Sequence, residues 1–334
     1  MKAVRSATVA VAALALGLSL AACSSAEAPA TSEATESSET RSFTAGGETI
    51  EIPSDPTRIV ACGYAVLPLI QAGANLVGVC EWTRELDAMS PEDLATYEEL
   101  PKLAAEADVS TLDYEAITAL EPDLIIMGVP SRAKEFVDLE ALETLAPTIF
   151  LGPTAPSEWR TLGDSYADAA NVGDSYGEFR TQYEARAEDI ENSWSDEFSG
   201  VSFGSVCGNC GAETGMFTRE YRSSYTSNLL DDLGLDIPGQ PADPADVHAE
   251  DLSIENLAQS FAGIDVIVYG VQADGSVLPG LADLMNTEGW KALPAVQAGN
   301  LIPIVNYSAA TFETAIPALD SIDKGLAEIA PRLQ

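Results

Sequence analysis

Short apolar runs alternate with amphipathic helical stretches along residues 43–156. The runs are rich in β-branched residues and do not alternate polar with apolar positions, so each predicts a strand that is buried on both faces. The predicted strands are TRIVAC (57–62), NLVGVCEW (75–82), residues 124–127 and PTIFLG (147–152). Because helical stretches separate these runs, the pattern predicts an α/β lobe over residues 43–156, with helices on both faces of a parallel sheet.

A long amphipathic stretch within residues 157–198 separates this lobe from the rest of the chain. Its apolar positions recur three or four residues apart, which is the period of one face of an α-helix. These positions are Tyr176, Phe179, Tyr183, Ala187, Ile190 and Trp194. The α/β rhythm then resumes over residues 199–334. We therefore predict an α/β fold of two lobes with mostly parallel sheets, joined by one long backbone helix, with a ligand cleft between the lobes.

Residues 1–22 have the pattern of an export signal. Lys2 and Arg5 precede an uncharged apolar run that is too short to span a membrane. The run ends in LAAC, which resembles the lipobox of bacterial lipoproteins, in which cleavage leaves a lipidated cysteine, here Cys23; an ordinary cleavage site with an incidental cysteine is the alternative. Residues 23–42 are rich in Ser, Ala, Thr and Glu and contain no aromatic residue, which predicts a disordered tether. We therefore expect an extracytoplasmic protein that is anchored to the cell membrane as a lipoprotein.

The charge and the histidine content exclude two classes of function. The formal net charge is −37 at pH 7, from 53 acidic and 16 basic residues, whereas nucleic-acid binding needs lysine and arginine against phosphate. The chain has one histidine, His248, in a loop where we expect it to be solvated. One histidine offers little for acid–base catalysis, and no nucleophile–base pair accompanies it. We therefore expect a binding protein that is neither an enzyme nor a nucleic-acid partner.

Five segments in order along the chain resemble one family. They are RIVACGYAVLPLIQAGANLVGV (58–79), DYEAITALEPDLIIMG (113–128), LETLAPTIFLG (142–152), LSIENLAQSFAGIDVIVYG (252–270) and GWKALPAVQAGNLIPI (289–304). Together they resemble the siderophore-binding lipoproteins of ABC importers, which belong to the helical-backbone class of periplasmic-binding-like proteins. The resemblance implies two lobes joined by one backbone helix, capture of a ferric siderophore and its delivery to a membrane permease. It also implies that a glutamate on each lobe, Glu115 and Glu255 by motif position, pairs with arginines of the permease. We expect the protein to be a monomer.

A site for a ferric siderophore needs cations, hydrogen-bond donors and aromatic surface, because such ligands are usually anionic and partly apolar. Cations are scarce in this chain, so the arginines that follow predicted strands or precede a predicted helix are candidates. The candidate arginines are Arg84, Arg132, Arg219 and Arg222. We predict that Ser223 or Ser224 caps the helix that follows the last two, which would add a helix N-terminus to the site. The candidate aromatic contacts are Tyr64, Trp82, Tyr225 and Trp290.

The ligand has alternatives within the same fold. Haem would need an axial His or Tyr, and cobalamin remains open as a second alternative. A direct transition-metal site built from several histidines is not expected, since only His248 is present. We expect no intrinsic cofactor and no protein metal site, with ferric iron held by the siderophore.

The four cysteines of the body predict two disulfides, because an even number of cysteines in an exported protein favours pairing. Cys62 ends one predicted strand and Cys80 lies near the end of the next, so we predict a bond between them and a second bond between Cys207 and Cys210. A membrane-tethered thiol oxidoreductase is the competing interpretation of the CGNCG segment, but no helix follows it to activate a thiol. A four-cysteine zinc or iron–sulfur site is a further alternative.

Overall fold

The computed structural model describes residues 39–105, 108–207, 213–243 and 248–333. The predicted export signal, most of the predicted tether and Cys23 lie outside the described residues, as does Cys210. Across the described part of the chain, no helix combines the length and the apolar character that crossing a membrane requires.

A β-hairpin opens the described chain. Strand β1 (Thr40–Ala45) pairs antiparallel with β2 (Glu48–Pro53). Gly46 and Gly47 join the strands with φ values of 57° and 86°, a left-handed conformation that glycine adopts without a Cβ clash. The hairpin buries Ile52 in the core of the first lobe. The hairpin was not predicted, and its first strand starts before residue 43, the predicted beginning of the lobe.

The sheet of the N-terminal lobe is parallel throughout. Its strands are β3 (Ile59–Gly63), β4 (Leu76–Val79), β5 (Leu124–Gly128) and β6 (Thr148–Phe150). They lie in the order β4-β3-β5-β6, and each neighbouring pair is parallel, which confirms the predicted sheet. Separate apolar clusters cover its two faces. Because the strands run in one direction, their carboxyl ends meet at one edge of the sheet.

Four helices of the described chain surround this sheet, and three of them begin at a capping side chain. The helices are α1 (Val66–Gln71), α2 (Pro91–Glu99), α3 (Tyr114–Ala119) and α4 (Leu139–Leu145). Ser90, Asp113 and Asp138 accept hydrogen bonds from the first turns of α2, α3 and α4, respectively. A 3₁₀ turn, Ser131–Phe136, follows β5.

The predicted disulfide between Cys62 and Cys80 is present. Cys62 lies in β3, and Cys80 directly follows β4, which pairs parallel with β3 through Ala61 and Val79. This register brings the two Cα atoms to 4.6 Å from each other. The bond therefore joins neighbouring strands at the edge where the carboxyl ends of the sheet meet.

Removal of this bond is expected to destabilise the protein. It closes a loop with a sequence separation of 18 residues, so Cys62→Ala/Cys80→Ala should lower the free energy of unfolding by about 3 kcal/mol. Guanidinium denaturation followed by circular dichroism measures the change, and the wild-type protein under non-reducing conditions is the reference. A double variant that unfolds at the wild-type midpoint would contradict the prediction.

Two helices lead from the first lobe to the second. They are α5 (Trp159–Ala169) and α6 (Gly173–Trp194). α6 has 22 residues, and four of the six predicted apolar positions on it are buried. The prediction of one long amphipathic helix between the lobes is therefore confirmed.

The sheet of the C-terminal lobe is mixed. Its strands are β7 (Phe203–Cys207), β8 (Met216–Glu220), β9 (Ala249–Ser253), β10 (Val266–Gly270) and β11 (Leu301–Ile304). They lie in the order β11-β10-β7-β8-β9. The pairs among β7, β10 and β11 are parallel, whereas β8 and β9 are antiparallel additions. Strands β8 and β9 were not predicted, because their polar side chains do not resemble the buried apolar runs of the other strands.

The helices of the C-terminal lobe end with the helix that packs on α6. They are α7 (Ser227–Asp231), α8 (Leu257–Ser260), α9 (Pro279–Met285), α10 (Glu288–Lys291), α11 (Pro294–Ala298) and α12 (Phe312–Ile329). Arg186 and Trp194 of α6 both donate to the Asp323 carboxylate of α12, at distances of 2.7 Å. These contacts, together with the apolar core that α6 and α12 share, attach the backbone helix to the second lobe.

The predicted helix start near the paired arginines is wrong. Arg219 lies within strand β8, and α7 begins only at Ser227, after Thr226, whose side chain makes no capping bond. Ser224 is fully buried, and its hydroxyl donates instead to the Glu220 carboxylate over 3.0 Å. That bond explains the error, since the hydroxyl that was expected to cap the helix is engaged by a carboxylate of the preceding strand.

Candidate ligand-binding cleft

Two aromatic side chains meet where the strands of the N-terminal lobe end. Tyr64 directly follows β3, and Trp82 lies in the loop after β4. The centroids of their rings are 5.0 Å apart, with the rings inclined at 60°. Tyr64 is held by its backbone N–H, which donates to the Gly128 carbonyl at the end of β5. The structure thus brings together two residues that were predicted from their positions after strands.

Arg84 connects this pair to the C-terminal lobe. Its Nη1 donates to the Tyr64 hydroxyl over 2.7 Å, and its guanidinium carbon lies 4.5 Å from the ring centroid of Tyr225. Burial raises the pKa of Tyr64 to about 12, although the Arg84 charge opposes this rise. The Tyr64 hydroxyl is therefore protonated at neutral pH. Tyr64, Trp82, Arg84 and Tyr225 form a group that we call the cleft cluster.

The Arg84 guanidinium has hydrogen-bonding capacity left over. Its Nε is buried and has no hydrogen-bond partner among the described residues. A buried N–H without a partner is costly, and a ligand oxygen could satisfy it. The cleft cluster therefore offers aromatic surface together with a cationic donor.

Glu85 fastens the loop that carries Arg84 to the opposite lobe. Its side chain is 4% exposed and accepts hydrogen bonds from the Ala310 N–H over 2.8 Å and from the Thr314 hydroxyl over 3.0 Å. Both donors lie at the N-terminus of α12, where the helix dipole favours a negative charge. Burial raises the pKa of Glu85, and these hydrogen bonds act against that rise. The role of Glu85 was not predicted. A single acid in a loop gives no indication in the sequence that it will contact the start of a helix 225 residues further along the chain.

A cavity of about 240 Å³ lies between the lobes beside Arg84. We call it the interlobe cavity. The N-terminal lobe supplies Arg84, Glu85, Asp87 and Ala88, and the C-terminal lobe supplies Val271, Gln272, Ala273, Leu278 and residues 306–309. Tyr307, one of these, lies over Gly270, where a Cβ atom would come within 2.3 Å of the tyrosine ring. Gly270 is therefore required for Tyr307 to reach this position.

A second cavity, of about 330 Å³, lies within the C-terminal lobe and is bordered by Tyr225. We call it the acidic cavity. It is lined by Thr218, Glu220, Ser224, Tyr225, His248, Ala249, Glu250 and Asp251. Glu220 accepts hydrogen bonds from Ser205 and Ser224, and Asp251 accepts one from Thr218. His248 is half-buried, and its ring packs edge-on against Tyr225 at 5.7 Å between centroids, so the prediction that it is solvated is wrong.

Two residues predicted as ligand contacts lie away from the cleft cluster. Arg219 is 2% exposed, and its Nη1 donates to the carbonyls of Ser205 and Glu220. Successive side chains of a strand point to opposite faces of the sheet. Glu220 faces the acidic cavity, so Arg219 points to the other face, where it lies over the Phe261 ring. Trp290 is 3% exposed in α10, within the apolar core of the C-terminal lobe.

Two further predicted arginines are exposed. Arg132 lies in the 3₁₀ turn after β5, at the carboxyl edge of the N-terminal sheet. Arg222 lies in the turn between β8 and α7, where it forms an ion pair with Asp231. Neither arginine is among the described residues that line the interlobe cavity or the acidic cavity, so both lie outside the centre of the cleft.

Comparison with known proteins assigns the chain to a family. A sequence profile described as "Periplasmic binding protein" matches residues 59–306, which include most of both lobes and the whole cleft cluster. The chain belongs to this family. It is a family of substrate-binding proteins and not of enzymes, and its name implies a location outside the cytoplasm.

Individual relatives support the same assignment. The chain is 31% identical to the probable siderophore-binding lipoprotein YfiY of Bacillus subtilis over 66% of its own length, and 27% identical to the iron(3+)-hydroxamate-binding protein YxeB of the same organism over 46%. These alignments span 64% and 43% of the two relatives. A siderophore periplasmic binding protein from the fuscachelin gene cluster of Thermobifida fusca is similar in structure, with 28% identity and a TM-score of 0.66 over 83% of this chain and 98% of that one.

The two glutamates predicted to face the permease are exposed, one on each lobe. Glu115 lies in the first turn of α3, and Glu255 lies in the 3₁₀ turn Ile254–Asn256 that precedes α8. Within the described residues, neither carboxylate forms an ion pair. Both are therefore accessible to cationic side chains of another protein.

Proposed function

We propose that this periplasmic binding protein captures a ferric siderophore between its lobes and delivers it to the permease of an ABC importer. The cleft cluster carries the proposal, because it joins the lobes through Arg84, whose buried Nε has no hydrogen-bond partner among the described residues. The printed names of YfiY, YxeB and the Thermobifida fusca protein describe siderophore or iron–hydroxamate binding and support the ligand class.

The chemistry of the cleft cluster suits an iron chelate that keeps its own metal ligands. The partly exposed rings of Tyr64 and Tyr225 offer flat apolar surface to the organic part of the chelate, and the buried Trp82 ring supports Tyr64 edge-on. The Arg84 guanidinium donates charge-assisted hydrogen bonds to the oxygens around the iron. Iron then stays bound to the siderophore, and the protein supplies shape, donors and charge.

Arg132 and Arg222 would lie at the exposed rim of the proposed site, where solvent screens Arg132 and the ion pair with Asp231 engages Arg222, so both would contribute little charge to ligand binding. Arg219 and Trp290 do not belong to the proposed contact set, because both are buried within the C-terminal lobe.

Delivery would depend on the two exposed glutamates and on a lipid anchor. Glu115 and Glu255 would form ion pairs with cationic side chains of the permease, one from each lobe. Lipidation at Cys23, with residues 23–42 as a tether, would hold the protein at the membrane surface where the permease lies. We propose that a monomer performs both steps, without catalysis.

Ligand titration with fluorescence detection tests the proposal. Trp82 lies in the cleft cluster, so a ferric siderophore should quench tryptophan fluorescence in a saturable way. A panel of ferric hydroxamates and catecholates is compared with haem and with cobalamin. Trp82→Phe serves as the reporter control, since it should lose most of the quenching while ultrafiltration still detects the bound chelate. Failure of every ferric chelate to bind would refute the proposal, and saturable haem binding would favour a haem receptor.

A further inference from the structure

The balance of charge around the cleft cluster bears on which siderophores the cleft accepts. Among the described residues that line the interlobe cavity and the acidic cavity, Arg84 is the one arginine or lysine. The same linings contain four carboxylates that face the cavities, namely Glu85, Asp87, Glu220 and Asp251. Glu250 also borders the acidic cavity, but it lies opposite Arg219 in the pairing of β8 with β9, so its carboxylate points to the face of the sheet that Arg219 occupies.

The hydrogen bonds to three of these carboxylates come from neutral donors, and among the three the Arg84 charge acts on Glu85. Glu85 accepts from a backbone N–H and a hydroxyl, Glu220 from two serine hydroxyls, and Asp251 from Thr218. Glu220 is 1% exposed, so water screens its charge poorly. Hydroxyl and backbone N–H donors bring no positive charge to these carboxylates.

The other arginines near the cleft do not reverse this balance. Arg219 points to the opposite face of the C-terminal sheet, and Arg222 is already paired with Asp231. Arg132 is exposed on the 3₁₀ turn after β5, where solvent and salt screen its charge. The interior of the cleft is therefore negative apart from a single guanidinium.

Siderophores differ in the net charge of their ferric complexes. Three hydroxamate anions neutralise Fe³⁺, whereas three catecholate dianions leave a complex with three negative charges. One buried cation can balance at most one negative charge of a ligand, and unpaired charge is costly to bury. Resting on the proposed function, we infer that the cleft selects ferric siderophores of the hydroxamate type, with a net charge between −1 and +1, and rejects trianionic tris-catecholates.

A series of ferrioxamines that share one iron-chelating group but differ in net charge tests this inference. Ferrioxamine B carries a pendant ammonium group and a net charge of +1, its N-acetyl derivative is neutral, and its N-succinyl derivative carries −1. Ferric enterobactin, a tris-catecholate with a charge of −3, completes the series. We expect dissociation constants that rise from the cationic to the anionic ferrioxamine, and binding of ferric enterobactin that is at least about a hundredfold weaker.

A charge-neutralising variant supplies the control within the protein. Asp251 is exposed at the acidic cavity, so Asp251→Asn should fold normally and should strengthen binding of the N-succinyl derivative by about threefold relative to ferrioxamine B. Glu143→Gln, which removes an exposed carboxylate from α4, should leave that ratio unchanged.

Ferric enterobactin that binds as tightly as ferrioxamine B would overturn the charge inference and leave siderophore binding intact. If no ferric chelate binds, the proposed function itself fails, and the charge inference fails with it.

Discussion

Arg84→Ala is expected to weaken binding of the ferric siderophore by about a hundredfold, which corresponds to about 2.8 kcal/mol. The guanidinium lies between the rings of Tyr64 and Tyr225, and its buried Nε is without a hydrogen-bond partner among the described residues. Loss of a charge-assisted hydrogen bond in a desolvated site has a cost of this order. Fluorescence titration of the purified variant with the ferric chelate that binds the wild-type protein most tightly gives the change.

Two further variants separate binding from stability. Arg84→Lys keeps the charge but loses the planar fork of donors, so it should recover only part of the affinity. Arg180→Ala removes an arginine of α6 that pairs with Asp164 at the protein surface, and it should bind the ligand as the wild-type protein does. Affinity that is unchanged in Arg84→Ala, with a normal circular dichroism spectrum, would exclude Arg84 as a ligand contact.

The second large effect concerns transport and not affinity. Glu115→Ala/Glu255→Ala should abolish siderophore-dependent iron uptake by cells while leaving the dissociation constant of the purified protein unchanged. Both side chains are exposed and lie outside the cavities of the cleft, so their removal changes neither the fold nor the ligand contacts. Losing one partner of an interfacial ion pair costs about 2–5 kcal/mol, and this variant loses one such partner on each lobe. Uptake of radioactive iron by cells that produce the variant in place of the wild-type protein measures the effect.

A matched variant controls for the loss of surface charge. Glu143→Ala/Glu288→Ala also removes one exposed glutamate from each lobe and should support uptake at the wild-type rate. Normal uptake by the Glu115→Ala/Glu255→Ala variant would refute the docking role. Weakened ligand binding in that variant would instead assign one of the two glutamates to the ligand site.

The strands and the disulfide could be predicted because their signals are local. Buried parallel strands have both faces covered, so their sequences are continuous apolar runs that stand out from the helices between them. Tyr64 and Trp82 follow two such runs, and parallel strands place their carboxyl ends at one edge, which is why both were expected in the cleft. The same reasoning placed Cys62 beside Cys80, and the register of β3 with β4 confirms it.

The incorrect predictions concern a segment whose side chains are mostly polar. Strand β8 carries charged side chains on both faces, so it was not recognised, and the direction of Arg219 could not be inferred without it. Whether Arg219 or its neighbour Glu220 faces the cleft depends on the antiparallel pairing of β8 with β7. A shift of one residue would exchange the two side chains and place a guanidinium in the acidic cavity where a carboxylate now lies.

The sequence alone determined the two α/β lobes, the long helix between them and the family to which the chain belongs, because apolar periodicity and ordered motifs are carried by neighbouring residues. Only the tertiary structure decided which side chains form the cleft. Glu85 reaches the N-terminus of α12, and Arg84 reaches Tyr225, across distances in sequence that no local pattern spans. The charge of the cleft is a property of that assembly, since it depends on which of many acids and few arginines the packing of the two lobes brings together.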